Sequence, residues 1–96
     1  MKRKITIKPA ADADLMNIWI YGYWNFGELQ ADAYNLKLSQ LFEKLAAFDL
    51  GRMRPDLGYQ IYSLPFEEHI VIYRADIDEV SIGRVLHHSQ EVSAEF

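Results

Sequence analysis

The sequence predicts an α+β fold, ordered β-α-α-β-β-β, with a helix hairpin packed on one face of a small, mainly antiparallel twisted sheet. Three observations predict it. Apolar residues in 31–48 recur at steps of three and four, the period of one helix face. A short alternating run, Ile5-Thr6-Ile7-Lys8, precedes Pro9. After residue 58 the chain becomes a series of β-forming runs separated by turn residues. At 96 residues, half of them hydrophobic, the chain is long enough for one modest core and is read as a single domain, 1–96.

The first strand is expected over 3–8. Pro9 ends it and opens a helix, because the missing N–H costs nothing in a first turn. Asp12 and Asp14 are placed in that turn, facing the positive end of the helix dipole. Leu15, Ile18, Trp19 and Gly22 share one helical face, with Met16, Ile20 and Tyr23 on a flanking row. Asn25-Phe26-Gly27 closes the helix, with Gly27 as a left-handed cap. A second helix spans 28–49 on Ala31, Tyr34, Leu38, Leu41, Leu45 and Phe48; Asp32, Asn35, Lys37, Ser39, Glu43 and Lys44 take its outer side. The short link makes the pair antiparallel. Residues 51–58 read as a loop. Strands follow at 59–64, closed by Pro65, at 69–74, and at 80–87 after a turn at 76–79. Short turns pair these strands antiparallel. Residues 88–96 form a polar tail.

Composition restricts function. There is no cysteine, so disulfides and thiolate metal sites are excluded; no metal site and no cofactor is assigned. No apolar run reaches the ~20 residues that span a membrane, and the basic start lacks the apolar stretch of a signal peptide. Charge is unevenly placed. Lys2, Arg3, Lys4 and Lys8 fall in the first eight residues, whereas 9–96 carry 6 basic and 14 acidic side chains, a net of −8. A tight RNA binder ordinarily presents a broad basic face. The basic start is read as a solvated strand edge, where charge opposes edge-to-edge pairing.

The motifs are recognisable in order. Residues 9–21, from Pro9 through Asp14-Leu15 to Ile18-Trp19, resemble the opening of ParE toxins in the RelE/ParE toxin–antitoxin superfamily. Gln30-Ala31-Asp32-Ala33-Tyr34 resembles the start of that family's second helix, and Gly51-Arg52-Met53-Arg54-Pro55-Asp56-Leu57-Gly58 its arginine- and glycine-bearing loop. His69 to Arg74 and Arg84-Val85-Leu86-His87 are similar to its last two strands. The resemblance covers roughly residues 5–88. Two positions depart from the pattern: Lys8 stands where a serine is common, and Tyr62 where an arginine is common.

The resemblance implies a cytoplasmic toxin of a type II toxin–antitoxin system, belonging to the bacterial stress response, that forms a hetero-oligomer with a ParD-like antitoxin. Its target is expected to be DNA gyrase, gripped by protein contact, with no sequence-specific nucleic-acid binding. Arg52, Arg54, Tyr62, Arg74 and Arg84 are the candidate target-binding residues. Met16, Ile20, Tyr23 and Trp24, the surplus apolar side of the first helix, are the candidate antitoxin site. One alternative is a RelE-like ribosome-dependent mRNA endonuclease. RNA scission needs a base, an acid and phosphate-holding cations, for which Arg74, Arg84 and His87 are the candidates, with His69 and His88 nearby in sequence. Another alternative is a non-toxic partner in operon autoregulation. Trp19, Tyr21, Tyr23 and Trp24 are read as core or partner interface rather than a base-stacking set. Arg84 alternates with Val80, Ile82 and Leu86, so it is expected to need a bulge or a partner carboxylate, from Asp49 or the first helix.

Overall fold

The computed structural model describes residues 2–90. Its elements are β1 (Lys4–Ile7), α1 (Pro9–Phe26), α2 (Glu28–Ala47), β2 (Arg52–Met53), β3 (Ile61–Phe66), β4 (His69–Ala75) and β5 (Glu79–His87). One sheet holds all five strands in the order β1-β5-β4-β3-β2. β1 runs parallel to β5, and the other pairings are antiparallel, so the sheet is mixed but mainly antiparallel.

The helix hairpin covers one face. Ala11, Leu38, Phe42 and Leu45 pack against Val71, Tyr73, Ala75, Val80, Ile82 and Val85. The other face has a smaller cluster, Leu57, Ile61, Ile72 and Leu86, partly roofed by the loop that carries Leu57. The helices approach closely where Gly22 meets Ala31: a Cβ on Gly22 would lie 3.4 Å from Ala31. Trp19 Nε1–H donates to Asp32 Oδ1 at 2.8 Å and ties the hairpin from the outside. Gly27 joins the helices at φ 93°, positive as expected of glycine, with ψ at 168°, outside the helical left-handed well.

Several boundaries differ from the expected ones for physical reasons. Arg52–Met53, read as loop, form β2 against Tyr62 and Ser63; two residues are too few to show alternation. Pro65 lies within β3, which runs on to Phe66. β2 covers β3 only at Tyr62 and Ser63, so Pro65 stands on an open edge where no N–H is needed. Tyr59 and Gln60 form a turn, Gln60 at φ 57°, and β3 starts at Ile61. α2 ends at Ala47; Phe48 is extended and exposed, while Phe42 and Ala46 join the buried face. Asn35, assigned to the outer side, is half-buried. Asp14 lies beyond the first turn, where Asp12 alone is acidic. His88 sits in a turn, its N–H bonded to Glu68 O at 2.9 Å. Of the expected tail, residues 91–96 lie outside the described residues.

The basic start is more than a charged edge. Lys4 is exposed, but the Arg3 N–H donates to Ala46 O at 2.8 Å and Arg3 Nη2 to Leu45 O at 2.8 Å and Asp49 Oδ1 at 2.7 Å. Arg3 thus satisfies carbonyls that the end of α2 leaves without partners.

Two tests follow from the loops. The Gly51 N–H donates to the hydroxyl of buried Tyr73 at 2.9 Å. A Cβ at Gly51 would meet that oxygen at 2.4 Å and Ser63 O at 3.0 Å. Gly51→Ala is expected to cost about 1–3 kcal/mol through overpacking, read as a lower urea midpoint. In the β4–β5 turn, Asp76 Oδ1 accepts the N–H groups of Asp78 and Glu79, each at 2.8 Å. These bonds hold the Asp76 carboxyl below its ordinary range. A lowered carboxylate stabilises above the unfolded value of roughly 3.9 and loses that contribution as pH falls through the folded value. Asp76→Asn is therefore expected to be less stable than the natural chain at pH 7, with the gap narrowing below about pH 4 in parallel urea titrations.

Candidate functional site

The last strand decides which residues can meet. Ile72 pairs with Arg84 and Tyr73 with Ile82, so Gly83 is an extra residue, a β-bulge. The bulge shifts the alternation by one. Val80 and Ile82 face the helices, and after Gly83 so do Val85 and His87, while Arg84 and Leu86 turn to the other face. The expected row of Val80, Ile82, Arg84 and Leu86 on one face is therefore corrected: Arg84 does not share a face with Val80 and Ile82.

Arg84 has its carboxylate. Asp14 of α1 accepts from Arg84 Nε at 2.8 Å, from Arg84 Nη2 at 3.0 Å and from the Val85 N–H at 2.9 Å. The residue reaches there because β1 stops at Ile7, paired with Ile82, so β5 has no strand neighbour beyond that point. The Asp14 hydrogen bond pushes the Arg84 guanidinium up from an already high value and keeps it charged.

Of the candidate target contacts, four share one side of the sheet. Arg52 pairs with Ser63, Arg74 with Ile61 and Ser81, and Arg84 with Ile72, all on the face away from the helices. Arg54 joins them from the loop, Nη1 at 3.4 Å from Ser63 Oγ, while its Nε and Nη2 grip Asp56 at 3.0 and 2.8 Å. That fork holds the Asp56 carboxyl below its usual range. Tyr62 is on the opposite face: it pairs with Tyr73, stacks on its ring at 5.3 Å and packs on the helix-side core.

The histidines are on the helix side. His69 pairs with His87, their rings 5.6 Å apart and perpendicular. His69 Nδ1 lies 2.6 Å from Tyr34 Oη of α2. Burial pushes the Tyr34 hydroxyl up to about 12, so it stays protonated and donates. Burial first, and then His87, pulls His69 below the usual histidine value, which favours the neutral ring that accepts this bond. These groups line an open cleft of about 950 Å³ between hairpin and sheet, with Asn17, Ile18 and Tyr21 on its helical wall. Of the scission candidates, His87 opens into this cleft, Arg74 lies on the opposite face, and Arg84 is held at the β5 edge by Asp14.

On the outside of α1, Met16, Ile20, Tyr23 and Trp24 are all exposed, Trp24 at 78%. Their spacing of four, three and one makes a stripe. Tyr21 and Phe26, also exposed, lie instead on the side that lines the cleft.

The model of the ParE toxin family of type II toxin–antitoxin systems, parDE, matches residues 5–92. The chain belongs to the ParE toxin family. The fold agrees with solved structures of ParE and RelE kind. A chain of the chromosomal ParDE toxin–antitoxin system from P. aeruginosa is 19% identical, with 90% of this ParE-family chain and 96% of that chain covered and a TM-score of 0.76. The RelBE2 toxin–antitoxin complex from Mycobacterium tuberculosis gives 19% identity over 92% and 100%, with a TM-score of 0.59. The YoeB dimer from Staphylococcus aureus gives 21% over 92% and 99%, with a TM-score of 0.53. No curated protein matches the sequence. No described helix is long and apolar enough to cross a membrane.

Of the two sources of a carboxylate expected for Arg84 in this ParE-family chain, the first helix supplies it through Asp14, while Asp49 pairs with Arg3. The arginine in an apolar row signalled a bulge near Arg84, though not its place at Gly83, whereas the Tyr34–His69 bond and the Arg3 cap carry no local signal, since each joins residues at least 35 apart. Asp14→Asn should remove the charge from three hydrogen bonds at once. A loss of roughly 1.5–3 kcal/mol is expected, the range for bonds to charged groups, and a double-mutant cycle with Arg84→Met should show coupling between the two sites.

Proposed function

We propose that this chain is a toxin that inhibits DNA gyrase by protein contact in the cytoplasm and is neutralised by a ParD-like antitoxin. Membership of the ParE family supports the toxin role. One observation carries the choice of target class: the groups that RNA scission would use are dispersed. Arg74 and His87 occupy opposite faces of the sheet, and Arg84 and Arg54 are each forked onto a carboxylate. A ribonuclease must gather base, acid and cations around one phosphate. The net of −8 over residues 9–96 also opposes entry among ribosomal phosphates. The arginine-bearing open face, Arg52, Arg54, Arg74 and Arg84, is the proposed gyrase contact. Tyr62, on the covered side, leaves that set.

The antitoxin is assigned to the outer stripe of α1. Its apolar groups line up at helical spacing on a surface that the fold leaves bare, which suits an amphipathic segment that folds as it binds. The solved ParDE and RelBE2 relatives are toxin–antitoxin systems.

Expression of the chain without an antitoxin is expected to arrest growth, stop supercoiling and accumulate cleaved DNA while mRNA stays intact. Cut mRNA would replace this reading with a RelE-like endonuclease, and normal growth would replace it with a non-toxic autoregulatory partner. Because Ile20 and Trp24 are exposed, Ile20→Asp with Trp24→Asp should leave the melting temperature nearly unchanged and weaken antitoxin binding at least about tenfold, or about 1.4 kcal/mol. Undiminished affinity would remove α1 as the site.

A further inference from the structure

Outside these surfaces, the β3–β4 turn and the end of β5 place three metal-ligating side chains together. Glu68, His87 and His88 each offer a donor atom, and the three donors lie within 4.8 Å of one another. We propose that they form a binding site for a divalent transition-metal cation of the Zn2+ class, open to solvent at its remaining position.

Geometry and donor chemistry support the assignment. His88 Nε2 is already 3.2 Å from Glu68 Oε2. Ligands of a tetrahedral zinc ion at bond lengths of roughly 2.0–2.2 Å stand about 3.3 Å apart, so that pair has the required separation. A donor pair at the 4.8 Å limit needs to close by about 1.5 Å, which exposed side chains can make by rotation. The backbone beneath is fixed: the His88 N–H donates to Glu68 O at 2.9 Å, and His87 pairs with His69 across β4 and β5. The His87 and His88 rings are 4.3 Å apart, on neighbouring residues. That approach is possible because β5 ends at His87 and the chain turns at His88, releasing the strand rule that sends adjacent side chains to opposite faces.

The His87 ring is also held in place by Ser89. Its Nδ1 lies 2.7 Å from Ser89 Oγ and accepts the Ser89 N–H at 3.2 Å, contacts that fix the orientation of the ring. Two imidazoles and one carboxylate make a borderline donor set, suited to Zn2+, Cu2+ or Ni2+ rather than Mg2+ or Ca2+, which take oxygen ligands. Bound there, the ion would clip the β3–β4 turn to the end of β5 at the mouth of the cleft that Glu68, His69 and His87 line.

The test is calorimetric titration of the full, untagged chain with ZnCl2, in parallel with thermal melts. Expected are one-to-one binding at micromolar concentrations, a melting temperature raised by several degrees with Zn2+, and no rise with Mg2+. His88→Ala and Glu68→Gln, both at exposed positions, should each weaken Zn2+ binding at least tenfold while keeping the metal-free melting temperature. His69→Gln, outside the triad, should retain the binding. Absence of binding at 100 µM ZnCl2, on the order of the weakest affinity worth calling a site, would overturn the proposal. So would equal affinity in His88→Ala and Glu68→Gln, which would mark diffuse surface binding.

Discussion

The fold depends on how α1 is fastened to the half of β5 that no other strand reaches. β1 is only four residues long and pairs with β5 as far as Ile82. Beyond that point, the Val85 N–H would lack a partner within the sheet, and an unpaired backbone donor that is shielded from water costs about as much as a lost hydrogen bond. Asp14 supplies the missing acceptor and grips Arg84 with the same carboxylate. α1 needs the tie, since Ala11 is its one fully buried residue. α2 buries five and is held mainly by packing. The weaker helix is thus set by a polar clasp, the stronger by its apolar face.

The clasp in turn requires the bulge. Without the extra residue at Gly83, Arg84 would point into the layer beneath the helices beside Val80 and Ile82, a costly place for a charge. With it, Arg84 turns outward to the edge where Asp14 waits, and Val85 fills the core position. The same shift sends His87 to the helix side opposite His69, and leaves Arg74 on the other face with Arg52. One inserted residue therefore separates the histidines from the arginines, and this separation is what distinguishes a docking face from a phosphate-cleaving site in the proposed function.

The elements themselves were legible because their periods are strong. α2 could be placed from Ala31, Tyr34, Leu38 and Leu45, and β4 from an unbroken β-forming run. β2 was invisible, since two residues have no period. Pro65 misled because a proline breaks a central strand but not an edge, and edge status belongs to the sheet, not to the segment. The candidate site was legible in part. The exposure of Met16, Ile20 and Trp24 follows from a helix with more apolar residues than one core can cover. That Tyr62 faces the core while Arg52 and Arg74 face away depends on register, and the alternation around Arg84 called for a bulge or a partner without placing the bulge at Gly83.

The edges limit how any partner can attach. An open strand edge invites a further strand through its bare N–H and C=O groups. On the free half of β5, the Val85 N–H is taken by Asp14 and the His87 N–H by Gln90 Oε1 at 2.7 Å. At the opposite end of the sheet β2 is two residues long, and the uncovered part of β3 carries Pro65. β1 is four residues long, with Lys4 and the adjoining Lys8 both exposed. Among the described residues, no edge therefore presents a long ladder to an incoming chain. Association has to proceed through side chains on the faces, and the two faces differ in kind. The α1 exterior is aromatic and aliphatic and offers burial, whereas the open sheet face is studded with arginines and offers directional contacts. A partner that folds onto α1 and a target that meets the arginines can thus be recognised by separate chemistries on one small scaffold.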